Sequence, residues 1–205
     1  MEASNSRFKA GKKGARPPID LRLDEIFNLM EITMSESAES ARNVLWNLIK
    51  DIRFAMFTTR HLNGHLHSRP MTTQNRNIDE KDSLWFFMSK SGEPVSDLLA
   101  EPEVNIVYAH PGKDRYVSVS GRAIVVDDLA KKTELWSTMT EAWFPGGVID
   151  ADLALVQVKI SHAHYWDVEE SKIHQLYEMT KAVITGTPPT KLGKTGEISM
   201  STSRE

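Results

Sequence analysis

The sequence predicts a mainly β domain: six antiparallel strands curled into a barrel, with helices packed on it. Three observations lead there. About six segments are apolar or alternating at strand length. Turn-rich links make several of them hairpin neighbours. Helices stand between only some of them, unlike the regular crossovers that a parallel sheet requires.

Bulk properties fit one such domain with tails. The chain has 205 residues, 40% of them hydrophobic, which is enough for a sizeable core. Its net charge of −3 gives no global attraction to nucleic acid or to an anionic membrane. It has no cysteine, which excludes disulfides, thiolate metal sites and cysteine nucleophiles and agrees with a cytoplasmic location. The first twenty residues lack the apolar stretch of a signal peptide. No apolar run approaches the roughly 20 residues needed to span a bilayer.

Residues 1–18 are polar and basic, with Arg7, Lys9, Lys12, Lys13 and Arg16 against Glu2. They read as a disordered tail. The alternative is an arm for nucleic acid or anionic lipid, but only Phe8 interleaves the charges. Residues 19–36 read as an N-terminal extension. From Ser37 onwards Ala38, Ala41, Val44, Leu45, Leu48 and Ile49 recur at helical spacing and give one apolar face, capped by Ser35 or Ser37.

Phe54 to Thr59 then reads as a strand, Asn63-Gly64 as a tight turn, and His65 to Thr73 as the returning strand. Ser83 to Met88 is an aromatic strand. Ser91-Gly92-Glu93-Pro94 opens a short helix with Val95, Leu98 and Leu99 on one face, which Pro102 closes. Val104 to Ala109 is a strand, and Tyr116 to Val126 another. In the latter Val117, Val119, Ala123 and Val125 alternate against Tyr116, Ser118, Ser120 and Arg122. Gly121 within it suggests a bulge or bend. A helix follows Asp127-Asp128, carrying Leu129, Leu135 and Trp136, and then a loop over Trp143-Phe144-Pro145-Gly146-Gly147. Leu153 to Ile160 is a strand, continued or bent through Val168. A last helix starts at Ser171 and stops at Gly186, and residues 187–205 read as a disordered polar tail.

Several motifs fail on their context. Leu192-Gly193-Lys194-Thr195 looks like the end of a P-loop, but Pro188 stands where its first glycine belongs. His65-x-His67 and His162-x-His164 each pair two imidazoles without a carboxylate at ligand spacing, so no metal is expected. Neither a Gly-x-Ser-x-Gly elbow nor a Gly-x-Gly-x-x-Gly loop occurs.

Three clusters carry chemistry. Ser68-Arg69-Pro70-Met71-Thr72-Thr73 places a guanidinium, suited to a phosphate or ring carbonyl, in a strand whose proline marks an edge. Leu84-Trp85-Phe86-Phe87-Met88-Ser89-Lys90-Ser91 delivers an apolar strand into hydroxyls, a lysine and a helix start, a candidate phosphate cradle. Trp143-Phe144-Pro145-Gly146-Gly147 and Tyr165-Trp166-Asp167 offer aromatic surfaces for a planar ligand or a subunit contact.

Together with Tyr116-Val117-Ser118-Val119-Ser120-Gly121-Arg122-Ala123, and in this order, these segments resemble the general stress protein 26 group of the pyridoxamine 5′-phosphate oxidase-like, FMN-binding split-barrel superfamily. The resemblance covers residues 37–186. It implies a six-stranded Greek-key split barrel and a homodimer with FMN at the subunit interface. By the same resemblance Arg69, Pro70, Met71 and Thr72 line the flavin. Phe87, Met88, Ser89, Lys90 and Ser91 approach its ring and phosphate, and Trp166 reaches it from the partner subunit. Thr, Ser and Lys of the family pattern stand here as Met88, Gly92 and Pro94, which leaves Arg69 and Lys90 as cations for the phosphate. The substrate-gripping Arg-Leu-x-x-Arg segment of true pyridoxamine phosphate oxidases is replaced by His164-Tyr165-Trp166-Asp167-Val168, so that activity is not expected. The resemblance implies an FMN-dependent oxidoreductase, and no residue stands out as a catalytic acid or base. The alternative is a flavin-binding or stress-linked module without turnover, and neither a nucleic-acid nor a membrane partner is expected.

Overall fold

The structure, a computed structural model, describes residues 37–167 and 194–199. The predicted N-terminal tail and extension and the helix from Ser171 lie outside them. Helix α1 is described over 37–49, and it buries Leu45, Leu48 and Ile49 while Val44 is left exposed. Strands β1 (Ala55–Arg60), β2 (Leu66–Met71) and β3 (Ser83–Ser89) follow, then helix α2 (Glu93–Ala100), β4 (Glu103–His110) and β5 (Arg115–Val126). Two short helices, α3 (Leu129–Leu135) and the unforeseen α4 (Thr138–Glu141), lead to β6 (Leu153–Asp167) and β7 (Lys194–Ser199).

The first six strands form an antiparallel split barrel in the order β2-β1-β4-β5-β6-β3. Strands β2 and β3 end this order, so the split lies between them. The link after β2 laces it: the Gln74 amide donates to Trp85 O (2.9 Å). The Asn75 side chain donates to Ser83 O (2.8 Å) and accepts from the Trp85 amide (2.7 Å). One side chain thus satisfies two backbone groups at a sheet edge.

Strand β3 explains its own composition. Leu84, Phe86 and Met88 enter the main core, and Phe86 meets Phe57 edge to face at 5.0 Å. Trp85 and Phe87 face a second cluster with Leu135, Leu153 and Leu155. Both faces are covered, so the strand reads as a continuous apolar run. Tyr108 is fully buried in the main core with its hydroxyl on Thr73 Oγ1 (2.7 Å), and burial pushes its phenol well above the ordinary range.

Three expectations are corrected. Val125 is exposed, because β5 passes beyond the main core after Ala123 and Val126 turns to the second cluster, and Leu99 is exposed on the outer side of α2. Residues 194–199, read as part of a polar tail, form β7 along the second half of β6. Among residues 195–199 only Ile198 is buried in the core, and the Tyr165 ring lies against Gly196, so the segment carries no alternation of its own. The bulge predicted at Gly121 is present: Ser120 pairs with His162 and Gly121 with Ile160, which leaves Ser161 as the extra residue.

Candidate anion site at the barrel mouth

The β1–β2 hairpin closes through a three-residue loop, with the His61 amide donating to His65 O (2.8 Å) and Gly64 at φ +87°. Only a residue tolerating positive φ completes this turn-plus-bulge loop. The hairpin register places Thr59 opposite His67 and Phe57 opposite Arg69. Period-two geometry then puts Thr59, His67 and Arg69 on the face shared with the core. Helix α2 covers that face, because its apolar Val95 and Leu98 are buried. The same turns carry Glu93 and Asp97, four residues apart and therefore neighbours on one side of the helix.

The result is a compact polar cluster. Asp97 is fully buried; its Oδ2 accepts from Thr59 Oγ1 (2.7 Å) and Arg69 Nη2 (3.3 Å), and its Oδ1 from His61 Nδ1 (2.8 Å). Arg69 Nη1 also donates to Thr59 Oγ1 (2.7 Å). Above it, Glu93 Oε1 accepts from His67 Nδ1 (2.7 Å) and Arg69 Nη2 (2.9 Å), and lies 3.4 Å from His61 Nδ1. The two imidazoles stack in parallel, with centroids 5.3 Å apart. Burial pushes the Asp97 carboxyl up, but the Thr59 and His61 hydrogen bonds and the nearby His61 and Arg69 charges outweigh it and hold the group below its usual range. The His67 hydrogen bond, with Arg69, holds Glu93 low as well.

Three nitrogens therefore converge on a single carboxylate oxygen. Arg69 and His67 donate to it, while His61 Nδ1 stands beside it with its hydrogen on Asp97; this set suits an anion such as a phosphate. His61, His67 and Glu93 also bring possible metal-ligand atoms within 4.8 Å of one another. However, the guanidinium sits on the very oxygen a cation would use, which opposes a metal.

The residues expected from the sequence divide between locations. Arg69 lies in this cluster, and Pro70 and Met71 continue β2 towards Thr72. Thr72 borders an open groove of about 450 Å³ lined by Thr73, Gln74, Arg53, Arg76 and Trp136. Phe87 and Met88 point their side chains into the two cores. The expected cradle at Ser89, Lys90 and Ser91 already holds an internal partner. The Ser91 amide donates to Asp152 Oδ1 (2.9 Å) and the Lys90 amide to Asp152 O (2.7 Å). Hydrogen bonds from Ser89 and Ser91 hold the Asp152 carboxyl low. Trp166 is half exposed on the opposite face of the sheet, across from Tyr116 and stacked on His164 at 6.5 Å. Trp143 is exposed, whereas Phe144 packs on the second core.

Sequence reasoning missed His61, Thr59, Glu93 and Asp97. Two signals were available: the alternation Phe57, Thr59, His61 in the first strand, and the four-residue spacing of the two acids on a helix with an apolar face.

The family described as pyridoxamine 5′-phosphate oxidase like matches residues 40–190. The chain belongs to that family. The relationship extends across nearly the whole chain in Protein bli-3 of Neurospora crassa, which is 29% identical over an aligned length of 203 residues that covers 95% of this chain and 92% of that protein. Among solved structures, the general stress FMN/FAD binding protein of Xanthomonas citri is 29% identical, with a TM-score of 0.55 over 65% of this chain and 92% of that one. A Jannaschia sp. CCS1 structure named for general stress protein 26 superposes with a TM-score of 0.59 over 75% of this chain and 94% of that one. At 24% identity it shows the shared split barrel. In this member of the pyridoxamine 5′-phosphate oxidase-like family, the polar cluster of His61, His67, Arg69, Glu93 and Asp97 lies between the β1–β2 hairpin and α2.

Proposed function

We propose that the chain is an FMN-binding oxidoreductase of the general stress protein type, working as a cytoplasmic homodimer. The observation that carries this reading is the convergence of Arg69, His67 and His61 on one anionic oxygen at the barrel mouth. Membership of the family and the flavin-binding name of the Xanthomonas citri relative support it. Arg69, with the imidazoles, would hold the phosphate. Pro70, Met71 and Thr72 would line the ring together with the backbone of Phe87 to Ser91. Trp166, exposed beside Tyr116 on the outer face, would reach the flavin of a second copy, so that a twofold dimer builds two equal sites. The flavin, when bound, supplies the redox chemistry, and the protein supplies orientation and electrostatics around it.

The test is the visible spectrum of freshly purified protein, followed by FMN titration of wild type and Arg69→Ala. Uptake of FMN with a flavin band near 450 nm is expected, and Arg69→Ala should weaken binding roughly ten- to a hundredfold. Absence of flavin together with no FMN uptake at micromolar levels sinks the reading. A second reading, a flavin-binding module without turnover, is favoured by the mutual pairing of the titratable groups in the cluster. Flavin-loaded protein that fails to oxidise NAD(P)H or reduce common acceptors would select it.

A further inference from the structure

Glu93 has the position of a ligand rather than of a structural ion-pair partner. Its side chain is 47% exposed on the first turn of α2, while Asp97 beneath it is fully buried and fixed by Thr59, His61 and Arg69. His67 and Arg69 both donate to Glu93 Oε1, and His61 Nδ1 faces that atom as well. Crowding these nitrogens onto one oxygen uses the nest poorly. A tetrahedral phosphomonoester offers three terminal oxygens and a larger charge, so His67 and Arg69 each gain an acceptor of their own, while the single Nδ1 hydrogen of His61 stays on Asp97 Oδ1.

We propose that Glu93 is a built-in occupant of this anion nest, and that a phosphomonoester binds only by displacing it from Arg69, His67 and His61. Glu93 thereby sets the affinity threshold for phosphorylated ligands. The proposal rests on the flavin reading in taking the phosphate of FMN as the displacing group. The rest of the helix start has little else to offer. Residue 94 is a proline with no amide hydrogen, and the Val95 and Ser96 amides already donate to Gly92 O (3.2 and 3.4 Å). The nest must therefore be built from side chains. A divalent cation is the competing occupant, and the guanidinium 2.9 Å from Glu93 Oε1 opposes it.

The test compares wild type, Glu93→Gln and Glu93→Ala. Glu93 is exposed, so both variants should fold; Gln removes the charge but keeps an acceptor, and Ala empties the nest. FMN and riboflavin binding are read by quenching of flavin fluorescence. Inorganic phosphate binding is read by the NMR signals of the His61 and His67 rings, and zinc chloride binding by calorimetry. The expected result is FMN binding tightened about tenfold in Glu93→Ala and less in Glu93→Gln, with riboflavin unchanged. Inorganic phosphate should shift the two imidazoles at lower concentration in Glu93→Ala than in wild type. Equal FMN affinity in all three proteins overturns the role of Glu93 and leaves the flavin reading standing. If none binds FMN, the flavin reading fails and the phosphate titration decides the nest alone; no response to phosphate then overturns it too. Zinc binding that is lost in Glu93→Gln, with unchanged phosphate response, identifies a cation site instead.

Discussion

Asp97→Ala should destabilise the protein by about 3 kcal/mol at neutral pH, and the gap to wild type should narrow in acid. Asp97 is fully buried and accepts from Thr59, His61 and Arg69, so its removal takes one acceptor from three donors at once. Thr59 is itself buried. Arg69 keeps Glu93, and both histidine and arginine side chains retain some contact with water, which places the cost at the low end for a broken buried pair. The pH dependence follows from the direction of the shift. Thr59, His61 and Arg69 hold the folded carboxyl below its ordinary value of 3.8 in spite of burial. Its contribution is therefore complete above that value and is lost as the pH falls through the depressed folded one. Chemical denaturation of both proteins at pH 7 and at pH 3 measures this. A gap below about 1 kcal/mol at pH 7, or one that is undiminished at pH 3, would contradict the account.

The barrel was legible because its strands carry their own periodicity. Val117, Val119 and Ala123 alternate into the core, and Asn63-Gly64 marks the hairpin on which Arg69 returns. Strand β7 was not, since its order comes from the free edge of β6 and from Tyr165 lying over Gly196, both distant in sequence. The site divided in the same manner. Arg69 beside Pro70 stood out as a cation in an edge strand, but the groups that surround it arrive from elsewhere. His61 comes from across the turn, and Glu93 and Asp97 from a helix 24 and 28 residues further on. A pair of acids in a short helix reads locally as a solvated face; only the docking of α2 on the hairpin turns it inward. The partner of the Ser89 to Ser91 segment was hidden for a related reason, since Asp152, which accepts from the Ser91 amide, lies 61 residues beyond Ser91.

Gly121→Ala should cost about 3 kcal/mol, for reasons of space alone. A Cβ at this position would fall on the Lys159 carbonyl oxygen and lie 2.9 Å from Val158 Cγ1 and 3.1 Å from the Lys159 carbonyl carbon. The first and third of these belong to the backbone of β6 and cannot rotate away. Gly112→Ala is the matched control: its Cβ would come no nearer than 3.4 Å to the His110 ring, and a change within about 0.5 kcal/mol is expected. The consequence reaches the outer face of the barrel. Before the bulge the even-numbered residues Ala154, Val156, Val158 and Ile160 enter the main core, and after it the odd-numbered Ala163 and Tyr165 do. The extra residue, Ser161, held by its hydroxyl on Ser120 O (2.9 Å), therefore reverses the phase of the strand. Without that reversal Trp166 would point into the barrel and Tyr165 away from Gly196. The close approach that Gly121 permits thus turns Trp166 towards the surface where a second copy is proposed to meet it. Gly121→Ala should lower the denaturation midpoint and also weaken dimerisation in light scattering. A variant as stable as Gly112→Ala would show that the β5–β6 bulge yields to a methyl group and that its tight packing is not needed to hold the strand phase.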